Sequence, residues 1–357
     1  MGDTFSRVRF AQPALCRILD ANLDRAREGL RVIEDWCRFG LDHASLTERC
    51  KSLRQELAHW HTQELRSSRD TPGDPGTELT HAQEEHRADI QAVLQANLCR
   101  VEEALRVLEE YGKVYKPEMG IAFKQMRYQV YTLESQLMTY QRRQSLARSH
   151  LYLVTSTTEN LLATVEAALE GGLSLVQYRD KTTEDSVRLS RAKALCQLCH
   201  RYGALLIVND RVDLALAVGA DGVHLGQQDI PIPVARQFLG PQRLIGQSTH
   251  CPDDLHRALR DGADYIGVGP VYETPTKEGR VAVGLDYVRY AADHATIPWF
   301  AIGGIDLNNL QDVLSAKAER IAVVRAIMHA EQPTLVTQYF LSQLERIQRI
   351  QPDHSPH

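Results

Sequence analysis

The pattern of apolar and polar positions changes once along the chain. Up to about residue 148, apolar residues recur at helical spacing with charged residues between them, and the whole stretch reads as helix. Within it, 16–65 and 90–140 repeat one another. Ala21-Asn22-Leu23 matches Ala96-Asn97-Leu98, Arg25 matches Arg100, and Glu28 matches Glu103. Leu30-Arg31-Val32 matches Leu105-Arg106-Val107, and Glu34 matches Glu109. Further on, Lys51 and Arg54 resemble Lys124 and Arg127. The repeat predicts two helical hairpins related by a pseudo-twofold axis. A loop at 66–80, carrying Pro72-Gly73 and Pro75-Gly76, is expected between them. From about residue 149 the period shortens. Runs at 151–155, 173–178, 204–208, 222–225, 244–247, 265–268, 299–302 and 321–324 read as strands, each followed by a helical segment. That alternation predicts an α/β fold, a (β/α)₈ TIM barrel over 149–357, preceded by an all-α domain over 1–148 with an internal repeat.

The repeated polar residues Asn22, Arg25, Glu28, Arg31 and Glu34 fall three apart, so opposite charges on one helix face can pair. A salt-bridge network is one reading of this stripe. A small anion site built from Arg25, Arg31, Arg100 and Arg106 is the other. The formal net charge of -5 gives no basis for bulk nucleic-acid binding. No run approaches the roughly 20 apolar residues of a membrane span, and 1–12 lacks the apolar core of a secretion signal. A cytoplasmic chain with no nucleic-acid or membrane partner is expected, with self-association left open. Of the 7 cysteines, Cys196 and Cys199 form a C-x-x-C pair. They lie in a helical run with no second Cys/His pair at matching spacing, so they read as reduced helical thiols rather than as a zinc or redox site.

In a (β/α)₈ barrel, chemistry sits at the C-terminal ends of the strands, and these ends are polar here. Strand two ends in Gln177-Tyr178-Arg179-Asp180-Lys181. Alternation puts Gln177, Arg179 and Lys181 on one side, where Arg offers a fork and Lys a point charge to phosphate oxygens. Strand three ends in Asn209-Asp210, and Asp229 follows strand four, so two carboxylates can converge on one Mg²⁺. His224 reads as a satisfied rim residue, with substrate contact as the alternative. Strand five ends in Gln247-Ser248-Thr249-His250. Strand six ends in Gly267-Val268-Gly269-Pro270 and opens into Thr274-Pro275-Thr276-Lys277, two hydroxyls and a lysine suited to an anion. Gly303-Gly304 after strand seven and Val324-Arg325 after strand eight occupy the usual phosphate cradle of this fold. Two anion sites at one mouth predict two phosphorylated substrates or one bisphosphate.

These motifs resemble those of the thiamine phosphate synthases, over about 151–330. The resemblance rests on Gln177-x-Arg179-x-Lys181, Val208-Asn209-Asp210, Asp221-Gly222-Val223-His224-Leu225-Gly226-Gln227-x-Asp229, Gly246-x-Ser248-Thr249-His250, Gly267-Val268-Gly269-Pro270-Val271-Tyr272-x-Thr274-x-Thr276-Lys277 and Ala301-Ile302-Gly303-Gly304-Ile305. It implies coupling of an aminopyrimidine diphosphate to a thiazole phosphate, with Mg²⁺ as cofactor. By the resemblance, the run from Gln177 to Lys181 with Asn209, Ser248 and Lys277 holds the pyrimidine diphosphate. Arg179, Lys181, Ser248 and Lys277 act on the reacting group, and Asp210 and Asp229 hold the metal. Thr274, Thr276, Gly304 and the backbone near Val324 and Arg325 take the thiazole phosphate. Arg325 departs from the family, since many relatives carry a small hydroxyl residue there; arginine can bind phosphate or pair with a carboxylate. The helical half looks like the extra N-terminal region of longer members and carries no functional assignment. Two rivals on the same barrel are an isomerase like the related thiazole tautomerase and a non-catalytic sensor of thiamine phosphate. Neither needs the joint presence of Arg179, Lys181, Asp210, Asp229 and Lys277.

Overall fold

The computed structural model describes residues 3–70, 72, 87, 90–274 and 281–350. The chain divides into two compact units, 1–137 and 138–357.

In the first unit, α1 (Asp3–Asp35) passes through a π-helical turn at Trp36–Gly40 into α2 (Ala44–Trp60). The short α3 (Gln63–Ser67) follows, and then α4 (Ile90–Tyr115) leads into α5 (Pro117–Arg148). Of the loop expected at 66–80, residues 66 and 67 belong to α3, while 71 and 73–80 lie outside the described residues. The repeat is a repeat of packing. Leu19, Leu23, Ala26, Leu30 and Ile33 are buried along α1, and Leu94, Leu98, Val101, Leu105 and Leu108 are buried at the corresponding places along α4. Steps of three and four keep these residues on one stripe. Burying each of the large ones contributes about 1.5–3 kcal/mol.

The polar stripe repeats as well. Asn22 Nδ2 donates to the Ile18 carbonyl at 2.8 Å, and Asn97 Nδ2 to that of Val93 at 2.8 Å. The Glu34 carboxylate accepts from Arg54 Nη1 at 2.6 Å, and that of Glu109 from Arg127 Nε at 3.0 Å. Burial opposes the charge of Glu109, yet the Arg127, Arg106 and Lys113 cations hold its carboxyl below the usual range. Arg31 and Arg106 pair with Glu34 and Glu109, while Arg25 and Arg100 are exposed. The stripe thus includes an ion-pair network that ties each hairpin together.

The second unit is a closed barrel of eight parallel strands in sequence order, β1 (Leu151–Val154), β2 (Leu175–Tyr178), β3 (Leu205–Asn209), β4 (Gly222–Leu225), β5 (Leu244–Thr249), β6 (Tyr265–Val268), β7 (Trp299–Ile302) and β8 (Ile321–Val323). Helices α6 (Leu161–Glu170), α7 (Asp185–Arg201), α8 (Val212–Val218), α9 (Ile232–Leu239), α10 (Pro252–Arg260), α11 (Gly284–His294), α12 (Leu310–Ser315), α13 (Arg325–Met328) and α14 (Pro333–Ile350) form the outer layer. The expected TIM barrel after an all-α region is thus the architecture found. β3 and β5 run further than their apolar content predicts, because Asn209 pairs with His224 and Thr249 with Val268 in the ladder. Alternation along the strands makes two cores. Tyr152, Leu175, Leu205, Ile207, Leu244, Tyr265, Phe300 and Ala322 fill the barrel interior. The intervening residues pack between the strands and the outer helices.

The face opposite the strand ends carries its own ionic staple. Asp221, just before β4, accepts from Arg142 Nε at 2.9 Å, in the end of α5 that belongs to the second unit, from His200 Nε2 of α7 at 2.9 Å and from the Leu206 amide at 3.0 Å. The hydrogen bond to Asp221, aided by the Cys196 thiol, pushes His200 up to about 10 from its ordinary 6.5. A raised histidine stabilises fully below the unfolded value, and its contribution is lost as pH rises through the folded one. Between pH 6.5 and 10 the melting temperature of the wild type should therefore fall further than that of His200→Gln. The half-exposed imidazole keeps the difference to a few degrees at most. Parallel melting curves for the two proteins would count against the staple.

Candidate active site

A cavity of about 320 Å³ opens at the C-terminal end of the barrel. Residues from β2 to β5 make one arc of its lining: Gln177, Arg179, Asn209, His224, Ser248 and His250. Gly269, Pro270, Thr274, Gly303, Gly304, Val324 and Arg325 make the other. Register keeps the first arc level, with Val154 beside Gln177, Asn209 beside His224 and Ser248 beside Gly267. The apolar floor is Phe300, Ile302 and Ala322.

Three charged groups gather at the ends of β2, β3 and β4, outside that lining. Lys181 Nζ lies 3.0 Å from Asp210 Oδ2. Asp229 Oδ2 accepts from the Gly226 amide at 2.6 Å. Asp210 stands in the left-handed region, at φ 62°, which aspartate tolerates better than most residues. Its amide donates to the His224 carbonyl at 2.9 Å. The Asp229 carboxyl is raised by burial and by Asp210 within hydrogen-bonding reach, against the lowering pull of the Gly226 amide and Lys181.

Most of the sequence-derived site residues converge here, but two do not. Tyr178 and Asp180 occupy the outward positions of the β2 end. Tyr178 is packed in the core beneath the helices, and its hydroxyl donates to Asp180 Oδ2 at 3.2 Å. Asp180 Oδ1 accepts from the Thr182 and Thr183 amides at 3.2 and 3.0 Å. Although burial works against its charge, hydrogen bonds led by Thr183 hold this carboxyl down at about 2. Both residues shape the loop after β2 instead of touching the cavity, because the side-chain period along a strand is two. Thr276 and Lys277 lie outside the described residues. His224 is buried and doubly hydrogen-bonded, as a satisfied histidine would be, but it lies in the cavity wall and not at its rim. Reading strand ends alone missed Tyr152 and Phe300, which reach the cavity from deeper in β1 and β7. The signal was their inward parity, an aromatic residue two before Val154 and two before Ile302.

Glycine is required where β6 ends. A Cβ on Gly269 would stand 1.9 Å from the Ile302 carbonyl oxygen, which already accepts from the Val271 amide at 2.9 Å. The loop after β6 can therefore lie against β7, bringing Thr274 to the same mouth as Gly304.

A closed (β/α)₈ barrel with cationic, acidic and amide groups around one mouth defines a barrel enzyme for anionic small molecules. Residues 151–327 match the family described as thiamine monophosphate synthase, and 17–136 match the ThiD2 family. The thiamine-phosphate synthase of Nostoc sp. is 68% identical over 97% of this chain and 99% of its own length. That of Gloeobacter violaceus is 55% identical over 94% and 98%. A solved thiamine phosphate pyrophosphorylase from Pyrococcus furiosus aligns with a TM-score of 0.52 and 37% identity over 57% of this chain and 98% of that one. The chain belongs to the thiamine-phosphate synthase family and is an enzyme of the transferase class. Between the synthase, the isomerase and the sensor that share this barrel, membership selects the synthase. Among the described residues, no helix is long and apolar enough to cross a membrane.

Proposed function

We propose that the enzyme joins 4-amino-2-methyl-5-(diphosphooxymethyl)pyrimidine to a thiazole phosphate, carboxylated or not, giving thiamine phosphate and free diphosphate. The observation that carries this reading is the division of one cavity into two arcs. Gln177, Arg179, Asn209 and Ser248 face Thr274, Gly304 and Arg325 across an apolar floor. A flat aminopyrimidine fits the first arc, with its diphosphate toward Arg179 and Lys181; the family resemblance adds Lys277 to that role. The thiazole phosphate fits the second, where Thr274 adds a hydroxyl donor and Gly304 and Val324 add backbone; the family resemblance adds Thr276 to that role.

The bond from the pyrimidine methylene to diphosphate oxygen breaks with its electron pair leaving on diphosphate. The thiazole nitrogen then supplies the pair for the new C–N bond. No protein nucleophile takes part. Arg179, Lys181 and Lys277 offset the charge that grows on the departing diphosphate, which positioned cations do well in a water-poor cavity. Ser248 and Gln177 orient the ring so that its methylene faces the second arc. Asp210 and Asp229, gathered at the ends of β3 and β4, suit a hard divalent cation in donor type and would hold Mg²⁺ together with the diphosphate. Such an ion would supply further charge neutralisation on the leaving group. Mixing the purified protein with both substrates and Mg²⁺, and measuring thiamine phosphate and diphosphate in equal amounts, tests the reading. Formation of neither product would refute it.

Arg325 offers a test of the second arc. Its side chain is exposed at the start of α13 and lines the cavity, and it has no ion-pair or hydrogen-bond partner among the described residues. The alternative of a carboxylate partner is therefore not the arrangement adopted. A charge-assisted contact to phosphate is worth about 1.5–3 kcal/mol. Arg325→Ala should raise the KM for thiazole phosphate about tenfold or more and leave that for the pyrimidine diphosphate near wild type. An unchanged thiazole-phosphate KM removes the contact.

A further inference from the structure

Beneath the first arc, a continuous hydrogen-bonded chain crosses the barrel interior. Gln177 Nε2 lies 2.7 Å from Tyr152 Oη, which is 2.8 Å from Tyr265 Oη. Tyr265 Oη is 3.2 Å from His224 Nδ1, and His224 Nε2 is 3.0 Å from Ser248 Oγ. The five residues come from β2, β1, β6, β4 and β5, and each is buried. The chain is built for its place. A Cβ on Gly246 would fall 2.1 Å from the Tyr265 ring, so that glycine makes room for the phenol.

We infer that this chain has a fixed direction, and that Tyr265 and His224 are positioning residues that set Ser248 as a hydrogen-bond donor toward the substrate. The inference rests on the coupling reaction proposed above. An amide nitrogen only donates, so Gln177 Nε2 gives its proton to Tyr152. A phenol has one proton, and Tyr152 passes its own toward Tyr265. Tyr265 then donates to His224 Nδ1. A neutral imidazole that accepts at Nδ1 carries its proton on Nε2, and that N–H points at Ser248 Oγ. With one lone pair engaged in this way, the Ser248 hydroxyl keeps its proton for the cavity. Burial pushes both phenols well up from their ordinary value, which keeps them uncharged donors. An acceptor on the substrate seated against Ser248, such as a ring nitrogen or a phosphate oxygen, would take this proton.

Nitrogen-15 NMR of the full-length protein labelled at histidine tests the direction. The His224 signals are assigned by their loss in His224→Asn. At neutral pH they should show a protonated Nε2 and an accepting Nδ1, and Tyr265→Phe should disturb that tautomer. Tyr265 does not line the cavity, yet Tyr265→Phe should lower kcat/KM for the pyrimidine diphosphate by about tenfold, the effect of one buried hydrogen bond. The KM for thiazole phosphate should hold. In Ser248→Ala, adding Tyr265→Phe should cause little further loss, because both act through one hydroxyl. Should Tyr265→Phe not fold, the His224 tautomer in the wild type decides the direction by itself. A protonated Nδ1, or losses that simply multiply in the double variant, would overturn the inference. Failure of the wild type to couple the substrates would instead defeat the reaction assignment, and the tautomer measurement would still decide the direction of the chain.

Discussion

Asp229→Ala is expected to lower kcat by about 10²–10³-fold, the effect of removing one well-placed electrostatic group from a reaction in which charge moves onto a leaving group. The fold should survive. Asp229 is only partly buried and lies beyond the end of β4, where its side chain accepts from the Gly226 amide three residues earlier in the same turn. Asp210→Asn should behave alike. Asparagine tolerates the left-handed backbone of that position as aspartate does, so the loss would report charge rather than strain. Removing the Asp210 charge also frees Lys181, whose amine now lies against it. If Mg²⁺ is held there as proposed, a single freed ammonium would not replace its double charge. Steady-state kinetics with Mg²⁺ varied, beside a circular-dichroism melt, gives the answer. Wild-type turnover in either variant, or wild-type activity undiminished by excess EDTA, would sink the metal assignment.

Gly269→Ala should be the most damaging single methyl group in the barrel mouth. Its Cβ would overlap the Ile302 carbonyl oxygen at 1.9 Å, and that oxygen belongs to the β7 backbone, which cannot turn aside as a flexible side chain would. Relief requires the ends of β6 and β7 to part. That breaks the Val271 amide to Ile302 hydrogen bond and shifts the Tyr272 amide away from the Gly303 carbonyl, now 3.0 Å distant. Overpacking of this kind costs about 1–3 kcal/mol, and a lost buried hydrogen bond adds about 1 kcal/mol. The melting temperature should drop by about 5–10 °C for a domain of this size. Activity should fall more steeply than stability, because Thr274 and Gly304 stand on the two separated segments. Normal kinetics in a folded Gly269→Ala protein would show that the two arcs need not be held in register.

Much of this was legible in the chain. The barrel could be read because each strand is a short apolar run and each helix a longer amphipathic one, signals that are local. Arg179, Asn209, Ser248 and Gly304 could be placed at the mouth because the C-terminal end of a barrel strand is a position in the sequence as well as in space. The helical repeat could be read for the same reason. What it builds, the Glu34–Arg54 and Glu109–Arg127 pairs across each hairpin, depends on a turn whose length the pattern leaves open.

Sequence by itself therefore determined the order of elements, the two halves, and the kinds of charged group that meet at one end of the barrel. The tertiary structure decided which of them point inward. Tyr178 and Asp180 share a run with Gln177, Arg179 and Lys181, yet the two-residue period turns them beneath the helices. The chain from Gln177 to Ser248 joins residues as far apart in sequence as Tyr152 and Tyr265, whose hydroxyls meet at 2.8 Å. Such contacts follow from closure of β1 onto β8 and from the stagger of the ladder. Both are set by all eight strands together, and no single run of residues encodes them.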